Sequence, residues 1–298
     1  MGWKLASYWV ELLGAEVRRI KGRYSTRIIE AGEGEPLLLL HGTGGHAENY
    51  IKNIGPLSQH FHVIAMDLLW HGRSQTSGFE PAVLPPLVDQ VADVLDCLSL
   101  ERVHIEGQSL GGWVAMLFAL AHPQRVAKLV LTTPMGYVPG GDSRSHEDPG
   151  LLALRDSTLA VLRDPNPGMV RQRLERIVAD PSIIPDEAVA VRHSFYNDPE
   201  LNAVQQRLTQ HYLGGPEPQA HVVTDELAAR IEALTLVYWG DKNFVAPPVG
   251  LRLARAIPGG SFFCAENTGH WAQFENHETH NREVLRFLLG GTAIAGDA

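Results

Sequence analysis

Residues 104–116 read HIEGQSLGGWVAM, and this stretch decides the fold. Val103–Gly107 is a short apolar run typical of a buried strand, and the residues after Ser109 repeat apolar side chains at helical spacing. Gly107 and Gly111 flank the serine symmetrically, as a sharp turn from strand to helix requires, because such a turn strains the backbone and leaves no room for larger neighbours. The hydroxyl of Ser109 would then stand at the end of a strand, with a helix N-terminus behind it that favours negative charge. Without that context, a G-x-S-x-G motif is common by chance.

Short apolar strands and amphipathic helices alternate along the first half of the chain. Helical patterns at residues 86–100 and 109–123 separate the predicted strands, and a final helix is predicted over residues 274–289. Strands buried on both faces that alternate with helices are typical of a parallel sheet with right-handed crossovers, so the sequence predicts an α/β fold. The predicted strands are Leu37–His41, His62–Asp67, Val103–Gly107, Lys128–Thr133, Leu234–Gly240 and Gly260–Asn267.

The alternation breaks between residues 136 and 230, where the chain is polar, proline-rich and helical, without a convincing strand. We therefore predict one sheet domain, made of residues 1–135 and 231–298, that carries a helical cap of residues 136–230 between two of its strands. Such a cap would lie over the carboxyl ends of the strands and close a cleft, where α/β proteins bind ligands. Residues 290–298 are predicted to be a frayed tail.

A serine hydroxyl is a poor nucleophile without a base, and His270 is the candidate base. It lies in ENTGHWAQFEN, residues 266–276, between the last predicted strand and the last predicted helix. The remaining histidines flank other elements or lie on a polar helix, and no two of them have a metal-ligand spacing such as H-E-x-x-H. We therefore expect no metal and no other cofactor.

The residue that supports the histidine should follow the strand in YWGDKNFVAP, residues 238–247. By position this residue is Asn243, whose amide oxygen can accept the imidazole N–H but cannot stabilise an imidazolium by charge. Asp241 comes two residues earlier and would serve if the loop bent toward the ring, and Glu266 could serve from the neighbouring strand end. We favour Asn243.

The loop HGTGGHAEN, residues 41–49, supplies backbone donors for an oxyanion hole. The backbone at Gly42 and Thr43, together with the N–H of Leu110 after the serine, would hold the oxygen of a tetrahedral intermediate. The alternative is a flexible glycine-rich turn without a catalytic role. The chain order of oxyanion loop, serine, acid loop and histidine is that of α/β-hydrolases.

At these residues the chain resembles the α/β-hydrolase fold over nearly its whole length. More narrowly, it resembles the meta-cleavage-product hydrolases, serine enzymes that split a carbon–carbon bond in 2-hydroxy-6-oxo-hexa-2,4-dienoates. The segments NYIKNIGP (49–56), AVAVRHSFYNDPELN (188–202) and GHWAQFEN (269–276) carry this resemblance. The chain departs from the family pattern in its oxyanion loop, which lacks the usual proline, at Gln108, where many members have Asn, and at Asn243, where the family has its triad Asp.

The resemblance implies three substrate contacts. Asn49 would line the polar end of the substrate, Trp271 would contact it beside the histidine, and Arg192 would bind the dienoate carboxylate. A guanidinium that forks onto a carboxylate is a strong anchor. Read without the resemblance, Arg192 would be a solvated charge on an amphipathic helix.

Composition limits the possible partners and compartments. The 298 residues carry a net charge of −9 without a basic cluster, so neither nucleic acid nor an anionic membrane surface is an expected partner. Cys97 and Cys264 form no disulfide or metal pattern, and there is no signal peptide or membrane-length apolar run, so we expect a cytoplasmic protein.

These observations predict a serine hydrolase that cleaves a carbon–carbon bond in a small carboxylate substrate, and the resemblance implies a homodimer or larger homo-oligomer. One alternative is a carboxylesterase or lactonase on the same fold. Another is a non-catalytic ligand-binding protein, which the missing acid at residue 243 would favour.

Overall fold

The computed structural model describes residues 7–141, 149–213 and 220–290, and an eight-stranded sheet lies at its centre. The strands are β1 Glu16–Lys21, β2 Ser25–Ala31, β3 Pro36–Leu40, β4 His62–Met66, β5 Val103–Gln108, β6 Val126–Thr132, β7 Leu234–Gly240 and β8 Gly260–Ala265. They lie side by side in the order β1-β2-β4-β3-β5-β6-β7-β8. The six strands from β4 to β8 in this order are parallel, which confirms the predicted α/β fold.

Twelve helices surround the sheet within the described residues. They are α1 Tyr8–Glu11, α2 Ile51–Leu57, α3 Leu84–Cys97, α4 Leu110–Ala121, α5 Pro149–Arg163, α6 Pro167–Glu175, α7 Asp186–Tyr196, α8 Pro199–Tyr212, α9 Asp225–Ala228, α10 Pro247–Ala256, α11 Ala272–Glu275 and α12 His277–Leu288. None of them, in the described part of the chain, is long and apolar enough to span a membrane.

Apolar helix faces cover both sides of the sheet. Along β3, Leu38 and Leu40 pack with α3 and α4 on one side, while Leu37 and Leu39 pack with α2 and α12 on the other. All four leucines are fully buried. Because successive side chains of a strand point to opposite faces, a run of leucines is the pattern that a strand covered on both faces needs.

The first two strands were not predicted from the sequence. β1 and β2 run antiparallel to each other, and β2 joins the parallel strands by an antiparallel pairing with β4. β1 is an edge strand in which only Ile20 is buried, so its sequence EVRRIK lacks the apolar signal that marks the other strands. Charged side chains, among them Arg18 paired with Glu30, cover this edge, a common protection against pairing with another chain.

The predicted final helix and the predicted helical cap are both interrupted. The final helix is divided into α11 and α12 at Asn276, whose φ and ψ of −123° and 46° are not helical. Between α7 and α8, the Asp198 side chain accepts the backbone N–H groups of Glu200 and Leu201 and so caps the start of α8.

We call residues 149–213, which form α5 to α8 between β6 and β7, the cap segment. The predicted tail lies outside the described residues except for Gly290.

The turn between β5 and α4 is sharp and closely packed. Ser109 connects the two elements with φ 55° and ψ −115°, a strained conformation for a residue with a side chain. Its N–H donates to the Thr132 carbonyl at 3.2 Å, and its own carbonyl accepts the N–H of Met135 at 3.0 Å, so hydrogen bonds fix the turn on both sides. A Cβ on Gly107 would overlap the Gly111 carbonyl, and one on Gly111 would overlap the Leu40 carbonyl.

Gly111→Ala should therefore destabilise the protein by about 1–3 kcal/mol or more, because the added methyl meets backbone atoms that cannot rotate away. Gly168→Ala is the matched control, since it lies at an exposed position of α6 where the nearest atom to its Cβ would be a side-chain oxygen 3.3 Å away, and alanine favours a helix by about 0.5–1 kcal/mol. Urea unfolding of the two variants measures the difference. Equal stability of both variants would contradict the close packing of the turn.

Candidate active site

His270 lies on the loop between β8 and α11, buried close to the sheet end. Its Nδ1 lies 3.0 Å from the amide Oδ1 of Asn243. An amide oxygen can only accept a hydrogen bond, so this contact places the proton on Nδ1 and leaves Nε2 of the neutral ring as an acceptor. The structure thus puts beside the ring the residue favoured from its position in the sequence.

The two acidic alternatives lie elsewhere. Asp241 accepts the backbone N–H of Thr268 at 3.0 Å and pairs with Lys242 at 3.1 Å, so its carboxylate supports the loop rather than the ring. Glu266 is exposed. The side-chain hydrogen-bond partner of the imidazole is therefore the neutral amide of Asn243.

Burial and a nearby cation keep the imidazole neutral. Burial, with a further contribution from the positive charge of Arg173, lowers the pKa of His270 from 6.5 to about 3. A carboxylate partner would act in the opposite direction by stabilising the imidazolium. In this site proton uptake by His270 is unfavourable.

Side chains from two strand ends fix the backbone of the histidine loop. The His270 carbonyl accepts Nε2 of Gln108 at 3.1 Å and Oγ1 of Thr133 at 2.9 Å. Gln108, noted as a departure from the family pattern, thus connects the serine turn directly to the histidine loop.

The cap segment also holds this loop. The carbonyl of Ile177 accepts the N–H of His270 at 2.8 Å and that of Trp271 at 2.9 Å. Glu275 accepts the N–H groups of Ala179 and Gly269, both at 2.7 Å, and its burial raises its pKa to about 7. The position of the imidazole therefore depends on contacts with residues 177–179.

The oxyanion loop passes directly over the serine. A Cβ on Gly42 would lie 3.0 Å from the Cβ of Ser109, so the absence of a side chain permits this approach. Thr43 follows it along the cavity wall, and Leu110 begins α4 on the other side of the serine. Backbone groups from two loops thus come together around Ser109.

A cavity lies between this turn and the cap segment. Its apolar wall includes Met135, Leu154, Leu174, Ile177, Leu213 and Phe244. Its polar wall is formed by Gly42, Thr43, Asn49, Gln108, Ser109, Thr158, Arg173, Arg192, His270 and Trp271. Two arginines and no carboxylate line it within the described residues, so the cavity suits an anionic ligand with an apolar part.

The three predicted substrate contacts lie together in this cavity. Arg192 of α7 is buried, and its Nη2 donates to Oδ1 of Asn49 at 2.9 Å. Nε1 of Trp271 donates to the Asn49 carbonyl at 3.2 Å. Nε of Arg192 is buried without a partner in the described part of the protein, which leaves a donor for a ligand.

Two polar residues near the cavity, Arg173 and Tyr196, were not predicted from the sequence. Arg173 of α6 donates from Nε to the Tyr196 hydroxyl at 3.2 Å and from Nη1 to Oγ1 of Thr158 at 2.9 Å. Burial alone would raise the pKa of Tyr196, but the charges of Arg173 and Arg192 outweigh it and lower the pKa to about 8. The sequence around α6 contains several arginines in an amphipathic pattern, and that pattern does not show which one faces the cavity.

No group of three or more His, Cys, Asp or Glu side chains is arranged to hold a metal ion in residues 7–141, 149–213 and 220–290. The described residues that line the cavity provide hydroxyls, side-chain amides, a neutral imidazole, backbone donors and two guanidinium groups.

The chain also resembles known proteins over most of its length. Residues 35–277 match the family described as the alpha/beta hydrolase fold. The chain is 32% identical to a 2-hydroxy-6-oxononadienedioate/2-hydroxy-6-oxononatrienedioate hydrolase of Comamonas testosteroni, over 88% of this chain and 90% of that one. It is 30% identical to a 2-hydroxy-6-oxo-6-phenylhexa-2,4-dienoate hydrolase of Burkholderia cepacia, with the same two coverages. The structure of the phenylhexadienoate hydrolase from Rhodococcus sp. strain RHA1 matches 93% of this chain and 100% of its own, with a TM-score of 0.81 and 25% identity.

Asn243→Asp should raise the pKa of His270 from about 3, by about 1–3 units, because a carboxylate beside Nδ1 stabilises the imidazolium. NMR titration of the imidazole measures this change. Asp241→Asn is the matched control and should leave the His270 pKa unchanged. The opposite result, a shift with Asp241→Asn and none with Asn243→Asp, would contradict the observed pairing.

Proposed function

Since the chain belongs to the α/β-hydrolase family and, within it, to the hydrolases of 2-hydroxy-6-oxo-dienoates, we propose that it hydrolyses the carbon–carbon bond of a meta-cleavage product. Such a substrate is a small vinylogous 1,5-diketone acid from aromatic degradation. The observation that carries this proposal is the position of Arg192 in a cavity that also holds Ser109 and His270 and contains no carboxylate among the described residues.

In this proposal the polar end of the substrate lies against Arg192 and Asn49. The guanidinium pairs with the carboxylate, and the Asn49 side chain contacts the adjacent C2 oxygen. Trp271, buried beside His270, packs along the dienoate. The C6 substituent then falls toward the apolar wall of the cavity, near Leu154 and Phe244.

Bond cleavage follows ketonisation of the substrate. The 2-hydroxyl loses its proton and C5 gains one, which gives a 2,6-dioxo acid in which C6 is an isolated ketone. Ser109 attacks C6, and its hydroxyl proton passes to His270. The resulting oxyanion is held by backbone N–H groups at Leu110 and at the Gly42–Thr43 turn.

The C5–C6 bond then breaks, and its electron pair leaves with the dienoate fragment. The C2 carbonyl accepts that charge as an enolate, and the imidazolium returns its proton, which releases 2-hydroxypenta-2,4-dienoate. Water hydrolyses the acyl group from Ser109 to give the second acid. We propose that Asn243 is sufficient as a partner because ketonisation prepares the bond for cleavage and lowers the demand on His270 as a base.

Two further expectations remain predictions, a cytoplasmic location and a homodimer or larger assembly. Neither is required for the reaction, because each residue assigned to it comes from one chain.

Purified protein should bleach a yellow meta-cleavage product, and Ser109→Ala should lower kcat by about 10³-fold or more. Ser194→Ala, which removes an exposed hydroxyl bonded only within α7, is the control and should retain full activity. The loss of the visible absorbance of the yellow substrate measures the activity of each protein. Ester hydrolysis without bleaching would instead indicate a carboxylesterase or lactonase. Failure of a fluorophosphonate to label Ser109 would indicate a protein that binds without catalysis.

A further inference from the structure

We propose that Arg173 is a second substrate-binding cation, which pairs with the ionised C2 oxygen so that the protein binds its substrate as a dienolate dianion. This inference rests on the proposed function, because it assigns the charge state in which that substrate is bound. It concerns a residue on α6 that neither the sequence pattern nor the family resemblance identified.

The first support is that Arg173 has only neutral partners in the part of the chain that the structure describes. Its guanidinium donates to the hydroxyls of Tyr196 and Thr158, and Nη2 lies 3.5 Å from the Thr43 carbonyl oxygen. Arg171, on the same helix, pairs instead with Asp186. Arg173 is half-buried and no carboxylate among the described residues neutralises it, so its charge is available to an anionic ligand in the cavity.

The second support is the closeness of Arg173 to Arg192. Their guanidinium groups contact the same Tyr196 hydroxyl, at 3.2 Å and 3.5 Å, and donate to the carbonyls of consecutive residues, Thr43 and Gly44. Both cations therefore lie at the same end of the cavity. The two negative charges that match them must be neighbours in the substrate, as the C1 carboxylate and the C2 oxygen are.

A second carboxylate at the far end of a dioic acid fits this geometry less well. The two carboxylates of such a substrate lie at opposite ends of its conjugated chain. The two guanidinium groups are much closer together, because both contact the Tyr196 hydroxyl. The apolar side chains of Leu154, Leu213 and Phe244 also lie along the wall that receives the C6 substituent in the proposed binding mode.

The third support is the electrostatic effect of Arg173 on its surroundings. After burial, the charge of Arg173 is the cause that lowers the pKa of His270, so its positive potential reaches the proposed base. A potential that disfavours an imidazolium stabilises an anion in the same place. The neutral Asn243 does nothing to cancel it.

Binding of the dianion assigns the first proton transfer of the reaction. The 2-hydroxyl proton is lost to solvent when the substrate binds, and the negative charge spreads through the conjugated chain to the C6 oxygen. The dienolate then takes a proton from solvent at C5, which replaces the proton lost from the 2-hydroxyl and forms the C2 carbonyl without a change in oxidation state. His270, which is a weak base here, need not remove the enol proton.

The test uses Ser109→Ala protein, which should bind the substrate without cleaving it. The probe is 2-hydroxy-6-oxohepta-2,4-dienoate, and the dienolate absorbance of the bound ligand is recorded against pH by stopped flow, before ketonisation at C5 removes it. We expect a midpoint below that of the free compound. Introducing Arg173→Gln into the Ser109→Ala protein should raise the pH midpoint of dienolate formation by about 1–3 units, because one positive charge beside the C2 oxygen is lost. Adding Arg173→Lys should restore most of the shift.

Arg176→Gln is the matched control, since it removes the same charge from an exposed position just after α6. It should leave the midpoint unchanged, and thermal unfolding shows that each variant is folded. An unchanged midpoint in folded, ligand-binding Arg173→Gln protein would overturn the role of Arg173 while leaving the proposed function intact. Failure of wild-type protein to bleach the probe, with no binding by Ser109→Ala, would overturn both.

A dicarboxylate probe tests whether Arg173 pairs with the C2 oxygen or with a distal carboxylate. Arg173→Gln should weaken binding of 2-hydroxy-6-oxononadienedioate and of the heptadienoate by a similar factor, because both have the same C2 oxygen. Selective weakening of the dioate alone would show that Arg173 pairs with the distal carboxylate and would overturn the dienolate assignment.

Discussion

The hydrogen bond between His270 and Asn243 is the interaction on which the chemistry of this site depends. It fixes the tautomer and orientation of the ring but brings no charge to it. The imidazole is buried and lies within the field of Arg173, so protonation is opposed from two directions. Charge interactions are stronger in such surroundings than in water. The site is therefore organised around a neutral histidine, and no carboxylate among the described residues lines the cavity beside its two arginines.

The parallel sheet explains how such distant parts of the sequence meet. Gly42 follows β3, Ser109 follows β5, Asn243 follows β7 and His270 follows β8, and the carboxyl ends of parallel strands lie at the same edge. The strained backbone of Ser109 is tolerated because the strands around it are fully buried and the turn is hydrogen-bonded on both sides. The packed core thus supports a local conformation that would be unstable in an isolated loop.

Sequence patterns predicted the features that a covered strand or a sterically constrained turn imposes. The leucines of β3, the glycines around Ser109 and the position of Asn243 belong to this group. β1 was missed because an exposed edge strand needs no apolar residues, and the break at Asn276 because local backbone angles leave no periodic signal. Arg173 could not be distinguished from Arg171 or Arg176, since only the packing of the cap segment decides which arginine faces the cavity.

The contacts of the cap segment with the histidine loop have a consequence for how the cavity is filled. Ile177 holds the backbone of His270 and Trp271, and Glu275 connects Ala179 to Gly269. Any movement that lifts residues 177–179 to admit a ligand also releases the loop that positions the imidazole. Access and reactivity are then alternatives in a single equilibrium, so an open molecule would be inactive, and the rate of ligand entry would scale with the fraction of molecules that are open.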